Sequence, residues 1–281
     1  LMLGMEVAGE GKPIVESCLA NNVIVNCTAG NVIRIVPPLI ISKEEIDIVV
    51  AALDKALAAE ILTIASESSL AELFDEVDID AIHEVREHLL QRLAQVLYPH
   101  WLQAFECNKT SGEYQIETQQ MARRALANLA LSYLARSGQP EASDLVQSHY
   151  QHANNMTDLL AAMQAASGAD LPVLGAMLRD FEQKWQHDGL VMDNWFRLQA
   201  SRSQGKTLLR VRELLGHPAF SLHNPNRVRA LVGSFCAANP VLFHAKDGSG
   251  YQFLVEILTQ LNSINPQVAA RLIVPLIQFK R

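Results

Sequence analysis

The hydrophobic positions of the chain follow one pattern up to about residue 59 and a different pattern after it. In the first part, short runs of Ile and Val bounded by Gly, Asn and Pro occur at 23–25 and twice within 31–41, which is typical of strands. A capping box at 42–45 then precedes apolar residues spaced as in a helix. Residues 1–59 therefore predict a small α+β fragment, too short for a comfortable core of its own.

Helix signals repeat from about residue 60 to the end of the chain. Asn-Pro pairs beginning at Asn224, Asn239 and Asn265 predict helices with an Asn cap and Pro in the first helical position. Many helices joined by short polar segments predict a mainly α fold, a superhelical, solenoid-like array over 60–281. Two predicted helices carry apolar stripes, with Ile82, Val85, Leu89, Leu93, Val96 and Leu97 in the first and Met121, Ala125, Leu129 and Tyr133 in the second.

Composition and charge argue against a nucleic-acid partner. Hydrophobic residues make up 49% of the 281 residues and charged residues 19%, an ordinary balance for a globular protein. The formal net charge of -7 provides no general attraction to a polyanion. We therefore expect no binding to nucleic acid.

Cysteine usage and hydropathy indicate a cytoplasmic protein without a membrane segment. The four cysteines lack CxxC spacing, which fits free thiols better than a disulfide framework or a structural zinc site. No leader opens the chain, and no apolar stretch is long enough to span a bilayer. The start on Leu1 and the stop at Arg281 inside a predicted helix lead us to expect truncation at both ends.

The segment 83–88, HEVREH, looks like a zinc motif but has the wrong spacing. Zinc proteases place two His four residues apart, on one helix face. His83 and His88 are five apart, or about 140° around a helix. The inverted motif fails as well, because Glu84 occupies the position of its first His. We predict ordinary surface and packing histidines and no metal site.

Two further motifs are also incomplete. The segment 205–207, GKT, lacks the first glycine of a phosphate loop, because Ala200 stands there. We expect Thr207 to cap the following helix. The segment 248–250, GSG, lacks the serine-elbow pattern and predicts a turn before a helix. The residues thus indicate no catalytic set.

Residues 1–59 resemble the C-terminal end of a class III, pyridoxal-phosphate aminotransferase of the acetylornithine type. The segments that carry the resemblance are LMLGME at 1–6, NNVIVN at 21–26 and NVIRIVPPLIIS at 31–42. The resemblance implies that Arg34 binds a substrate carboxylate, for which a planar guanidinium is well suited. It also implies that the cofactor-binding domain and its lysine lie outside this chain.

Residues 60–281 resemble the C-terminal helical domain of bacterial aminopeptidase N. DAIHEVRE at 80–87 is similar to its early part. More specific segments are ANNMTD at 153–158, GLVMDNWF at 189–196, NPNRVR at 224–229, FHAKDGSGY at 243–251 and NPQVAARL at 265–272.

This second resemblance implies a wall of a peptide chamber rather than a catalytic centre. The family is a zinc metallo-aminopeptidase whose metal ligands belong to a preceding domain, absent here. Its helical domain encloses the substrate, with polar side chains at the positions of Arg229, Gln267 and Arg271. The family continues beyond Arg281, so we expect the last helices to lack their cover.

The interpretation that follows is a composite chain, an aminotransferase fragment (1–59) joined to a truncated, non-catalytic aminopeptidase domain (60–281). It needs no cofactor of its own, although the parent families use zinc and pyridoxal phosphate. The catalytic domain and the peptide substrate are its partners in the family context. Three alternatives stay open: a subunit that restores peptide hydrolysis with a separate catalytic domain, a pyridoxal-phosphate enzyme, and a scaffold for an unrelated partner.

Overall fold

The computed structural model describes residues 3–6, 10–20, 25–28, 30, 32–35, 63–110, 112–204 and 206–278. Within these ranges the chain is mainly helical, with one small antiparallel sheet near its start. The predicted strand at 37–41, the capping box at 42–45, the helix after it and the junction near residue 59 lie outside the described residues.

The N-terminal fragment combines one helix with three short strands. Its elements are β1 (Leu3–Glu6), α1 (Lys12–Ala20), β2 (Asn26–Thr28) and β3 (Val32–Ile35). Strand β3 lies between the other two, with Gly4 and Asn26 both opposite Arg34. The predicted α+β character is confirmed, although the run at 23–25 was placed slightly early, since Val25 precedes strand β2.

The helical array occupies the rest of the described chain. Its first half comprises α2 (Glu67–Ala71), α3 (Ile79–Val96), α4 (Tyr98–Asn108), α5 (Thr118–Arg136), α6 (Ala142–His152), α7 (Met156–Gly168), α8 (Leu174–Trp185) and α9 (Gly189–Ala200). Its second half comprises α10 (Thr207–Leu214), α11 (Pro225–Val228), a π-helical segment (Arg229–Gly233), α12 (Ser234–Ala238), α13 (Pro240–Phe243), α14 (Ser249–Ile264), α15 (Pro266–Leu272) and α16 (Val274–Gln278).

Each helix packs mainly on helices close to it in sequence, and one apolar cluster runs through the array from Leu90 to Leu272. Helix α5 is central, because it contacts α3, α4, α6 and α7. The Trp101 ring stacks on Tyr133 of α5, with the ring centroids 4.1 Å apart. The predicted solenoid-like array of helices is confirmed. None of the described helices is both long and apolar enough to cross a membrane.

The three predicted Asn caps are present. The side-chain oxygen of Asn224 accepts hydrogen bonds from the amides of Asn226 and Arg227, and Asn239 and Asn265 each accept one amide three residues ahead. Each cap is followed by Pro, whose missing amide removes a donor that the first turn would leave unpaired. Local sequence therefore sets where these helices begin.

The apolar stripe predicted for α3 is only partly buried. Val85, Leu89 and Val96 are 69%, 43% and 62% exposed, whereas Leu90 and Ala94 are buried. Helix α3 packs more extensively on α5 than on α4, and Leu90 and Ala94 belong to the apolar cluster shared with α5. Trp101 of α4 also donates its indole N–H to the carbonyl of Leu93. The stripe on α3 thus presents an apolar surface to solvent.

The stripe predicted for α5 is partly correct: Tyr133 is buried and Met121 and Leu129 are partly buried, whereas Ala125 is exposed. Residues outside the stripe are buried as well, namely Ala122, Ala127, Ala130 and Leu131. A helix surrounded by neighbours buries residues around most of its circumference, so a single face does not describe it.

Thr207 does not cap α10. It is the first residue of that helix, and its hydroxyl donates to the carbonyl of Gln204 at 2.8 Å. The GSG segment does form the predicted turn, with Gly248 at φ +75° just before α14. A Cβ on Gly250 would lie 2.2 Å from the carbonyl oxygen of Phe243, so only glycine fits there.

A buried polar network joins α5, α6 and α7. The amide of Asn128 donates to Asp158 at 2.8 Å, and its oxygen lies 3.1 Å from Nε2 of His149. Because the amide oxygen of Asn128 can only accept, Nε2 of the imidazole is the donor in this contact. Burial lowers the pKa of His149 below its ordinary value of 6.5, although the charge of Asp158 opposes this effect.

This network makes the stability of the array pH-dependent. Because folded His149 takes up a proton at lower pH than unfolded His149, the chain loses stability as the pH falls from 6.5 through the lowered pKa. We expect His149→Gln to flatten this part of the pH dependence in urea denaturation. His88→Gln, at an exposed position, should leave this pH dependence unchanged. If the free energy of unfolding changes equally with pH in both variants and the parent chain, His149 is not the group responsible.

Candidate functional site

A cavity of about 700 Å³ lies between α9, the π-helical segment, α15 and the start of α16. Arg229, Gln267 and Arg271, which sequence analysis singled out, all line it. Arg197 of α9 lines it as well, and no carboxylate is among its lining residues. The cavity therefore carries three guanidinium groups and the carboxamides of Asn265 and Gln267, which together suit an anionic or carbonyl-rich ligand.

Helix α15 presents two of these side chains on one face. Asn265 caps the helix by accepting the amide of Val268 at 3.2 Å, and Pro266 occupies the first helical position. Gln267 and Arg271 are four residues apart and so lie one above the other. Both side chains are exposed to the cavity space.

Arg229 stands at the point where the helix changes its winding. Helix α11 gives way at this residue to the π-helical segment, in which the amide of Ser234 bonds to the carbonyl of Arg229, five residues back. Short π-helical turns occur frequently at functional sites. The Arg229 guanidinium donates to the carbonyl of Pro225 and to the side chain of Asn226, which orient it.

A buried ion pair holds this helix against α9. Nη1 of Arg227 lies 2.7 Å from Asp193 and donates to the carbonyl of Gly189 at 2.9 Å. The two charged side chains are only 7% and 13% exposed, and the guanidinium also lies 5.2 Å from the centre of the Phe196 ring. The pair thus fixes Arg229 relative to Arg197.

The remaining predicted residues lie elsewhere. Arg34 is central in β3, and its side chain is outside the described part of the structure. His83 and His88 do not converge, since Nδ1 of His83 lies 2.6 Å from Glu67 while His88 is exposed. In the described ranges, no three His, Cys, Asp or Glu side chains are placed to hold a metal ion.

Arg197 was missed by sequence analysis. It follows directly on the segment 189–196, so a search that extended the quoted motif by one residue would have included it. Its Nη1 donates to the side chain of Asn194 at 2.8 Å, three residues back on the same helix. Nothing in its local pattern distinguishes it from an ordinary surface arginine.

The stacked helices and their continuous core define a helical-repeat protein of the armadillo class. The chain belongs to the family described as Domain of unknown function (DUF3458_C) ARM repeats, whose model matches residues 19–281. That match overlaps the aminotransferase-like segments from residue 19 onward, and the boundary at 59/60 stays a prediction.

Comparison with known proteins supports the resemblance of the helical part. Aminopeptidase N of Escherichia coli (strain K12) is 51% identical over 229 residues, which are 82% of this chain and 26% of the relative. A crystal structure of Legionella pneumophila aminopeptidase A in complex with aspartic acid aligns with a TM-score of 0.71 and 27% identity, over 85% of this chain and 30% of that one. The chain spans about a quarter of these relatives' length.

The similarity to aminotransferases is shorter. Acetylornithine aminotransferase of Methanothermobacter thermautotrophicus is 57% identical over 47 residues, which are 17% of this chain and 12% of the relative. The match is high in identity but partial in extent.

The Asp193–Arg227 pair yields a test of how the site is held together. We expect Asp193→Ala to lower the free energy of unfolding by about 3 kcal/mol, because it leaves a buried guanidinium without its counter-charge. Urea denaturation followed by circular dichroism measures the change. Glu256→Ala breaks the solvent-exposed pair with Arg212 and should lower the free energy of unfolding much less. Similar losses in the two variants would contradict the stabilising role of the Asp193–Arg227 pair.

Proposed function

We propose that this chain is a non-catalytic helical domain that lines the peptide chamber of a zinc aminopeptidase. The observation that carries the proposal is the cavity in which Arg197, Arg229, Gln267 and Arg271 meet without a carboxylate. The similarity of the chain to aminopeptidase N supplies the context. Its proposed partners are a separate catalytic domain and a peptide.

The side chains that line the cavity suit the C-terminal end of a bound peptide. An arginine fork binds a carboxylate through two parallel hydrogen bonds, and a Gln amide can both donate to a carbonyl and accept from an N–H. The absence of a lining carboxylate avoids repulsion of a peptide C-terminus. The domain therefore positions the peptide, and the separate catalytic domain hydrolyses the peptide bond.

We further propose that the exposed stripe of α3 lies against the catalytic domain. Val85, Leu89 and Val96 fall within about 40° of one another around the helix, and all three are exposed. An apolar face of this kind commonly marks an interface. Because the E. coli relative is about three times as long as this chain, it contains further chain that can cover the stripe.

The described residues do not fit the parent families' cofactors. No cluster of three metal-ligating side chains occurs in the described ranges, and we assign this chain no step that uses zinc. In the N-terminal fragment, Lys12 is exposed and pairs with Glu16, unlike a lysine buried in a cofactor pocket. We propose that the aminotransferase-like part, with Arg34, is a remnant joined to the helical domain in a composite, cytoplasmic chain.

The test is reconstitution of peptide hydrolysis. We expect the chain alone to be inactive with zinc added, and to restore hydrolysis when co-expressed with the part of the E. coli relative that lies outside the matched 26%. Co-purification and the rate of release of N-terminal amino acids measure this. Robust hydrolysis by the isolated chain, or failure of the two pieces to associate, would contradict the proposal.

The cavity makes a sharper prediction for the reconstituted pair. Arg229→Gln combined with Arg271→Gln should raise KM about tenfold or more for peptides with a free C-terminal carboxylate, because charge-assisted hydrogen bonds are lost. Peptides with an amidated C-terminus should be affected less. Lys184→Gln, which removes an exposed charge on α8 outside this cavity, serves as the control. Equal effects on both classes of peptide would exclude recognition of the carboxylate.

A further inference from the structure

A second cavity, of about 370 Å³, lies between α8, α9 and α10, and nothing in the proposed peptide chamber uses it. Four cationic side chains line it, and Glu182 is the one carboxylate in its lining. Oε1 of Glu182 lies 2.9 Å from Nε2 of His217. We name this cavity the basic pocket; its cations are Arg179, Arg202, Lys206 and Arg210.

Two of the four cations carry no counter-charge in the described chain. Arg179 and Lys206 make no ion pair or side-chain hydrogen bond with any described residue. Arg202 and Arg210 do pair, with Asp170 at 2.6 Å and with Glu213 at 3.1 Å, but neither of those carboxylates lines the pocket. The lining of the pocket therefore carries more positive than negative charge, and two of its cations have no counter-charge among the described residues.

Hydrogen bonds also fix the position of one arginine in the pocket and leave a donor of another unpaired. Buried Gln199 accepts from Nε of Arg210 at 3.0 Å and donates to the carbonyl of Trp195 at 3.3 Å, which fixes the Arg210 side chain. Nε of Arg202 is buried and has no hydrogen-bond partner among the described residues. A buried donor left in this way costs free energy until a ligand or water accepts from it.

A glycine of α8 also lines the pocket. Gly175 lies in the first turn of α8, where helix amides give a partial positive charge. A Cβ on Gly175 would lie 3.7 Å from Nη1 of Arg179. The glycine thus leaves open the space beside that guanidinium.

We propose that the basic pocket binds a phosphate group, either inorganic phosphate or the phosphate of a phosphomonoester. Four cations against one engaged carboxylate favour a doubly charged anion over a singly charged one. Arginine donors match phosphate oxygens in geometry. The cavity volume leaves room for an organic group attached to the phosphate.

Titration of the purified full chain tests this site. Isothermal calorimetry with inorganic phosphate and with glycerol phosphate, at constant ionic strength, should give a Kd on the order of 1 mM or below. In ¹H–¹⁵N spectra the Nε–H signal of Arg202 should shift with the same Kd. Acetate at the same ionic strength should not compete. Absence of binding, or equal binding of acetate, would overturn the proposal.

Three variants locate the binding. Arg179→Gln and Lys206→Gln each remove an exposed, unpaired charge and should weaken phosphate binding about tenfold. Gly175→Asp places a carboxylate beside Arg179 and should abolish it. Arg92→Gln removes a charge outside the pocket and should leave Kd unchanged. If Arg92→Gln weakens binding as much as Arg179→Gln does, the attraction is general and the pocket is not the site.

Discussion

The helix that leads into Arg229 is held to α9 by a buried ion pair. Arg227 and Asp193 are 7% and 13% exposed, and the guanidinium also bonds the carbonyl of Gly189. Two charges out of water stabilise a fold only when each has its partner and its hydrogen bonds. This pair therefore constrains the relative position of two helices more strictly than apolar packing alone, which tolerates small shifts.

Helix α9 contributes side chains to both of the cavities described above. Arg197 lines the larger cavity and Gln199 lines the basic pocket. Residues two apart on a helix point about 200° from each other, so adjacent parts of one short helix serve opposite sides. Asp193, on the same helix, anchors the neighbouring helix. A single helix of 12 residues thus anchors its neighbour and contributes side chains to both candidate binding sites.

The sequence predicted those features that depend on local chemistry. Asn224, Asn239 and Asn265 mark helix starts because an Asn oxygen and a following Pro act within a single turn. The buried face of α3 could not be predicted in the same way, because it depends on packing against α5, a helix that is not its neighbour in sequence.

The candidate site shows the same division between local and distant signals. Gln267 and Arg271 follow from helical spacing once α15 is placed, and resemblance to a family pointed to them. Arg197 comes from a distant part of the chain, and only the packing of α9 on the π-helical segment brings it near Arg229. The basic pocket had only a partial sequence signal: Lys206 and Thr207 belong to the incomplete GKT motif at 205–207, whereas the three arginines are spread over 179–210 without a motif.

The π-helical segment fits one residue more into its turn than an α-helix would. Every residue that precedes it is thereby rotated about the helix axis by about 100° relative to those that follow. An insertion or deletion of a single residue within Arg229–Gly233 would therefore re-aim Arg229 together with Arg227, whose pair with Asp193 ties this helix to α9. The direction of the cavity arginine and the anchoring of its helix are thus inherited together.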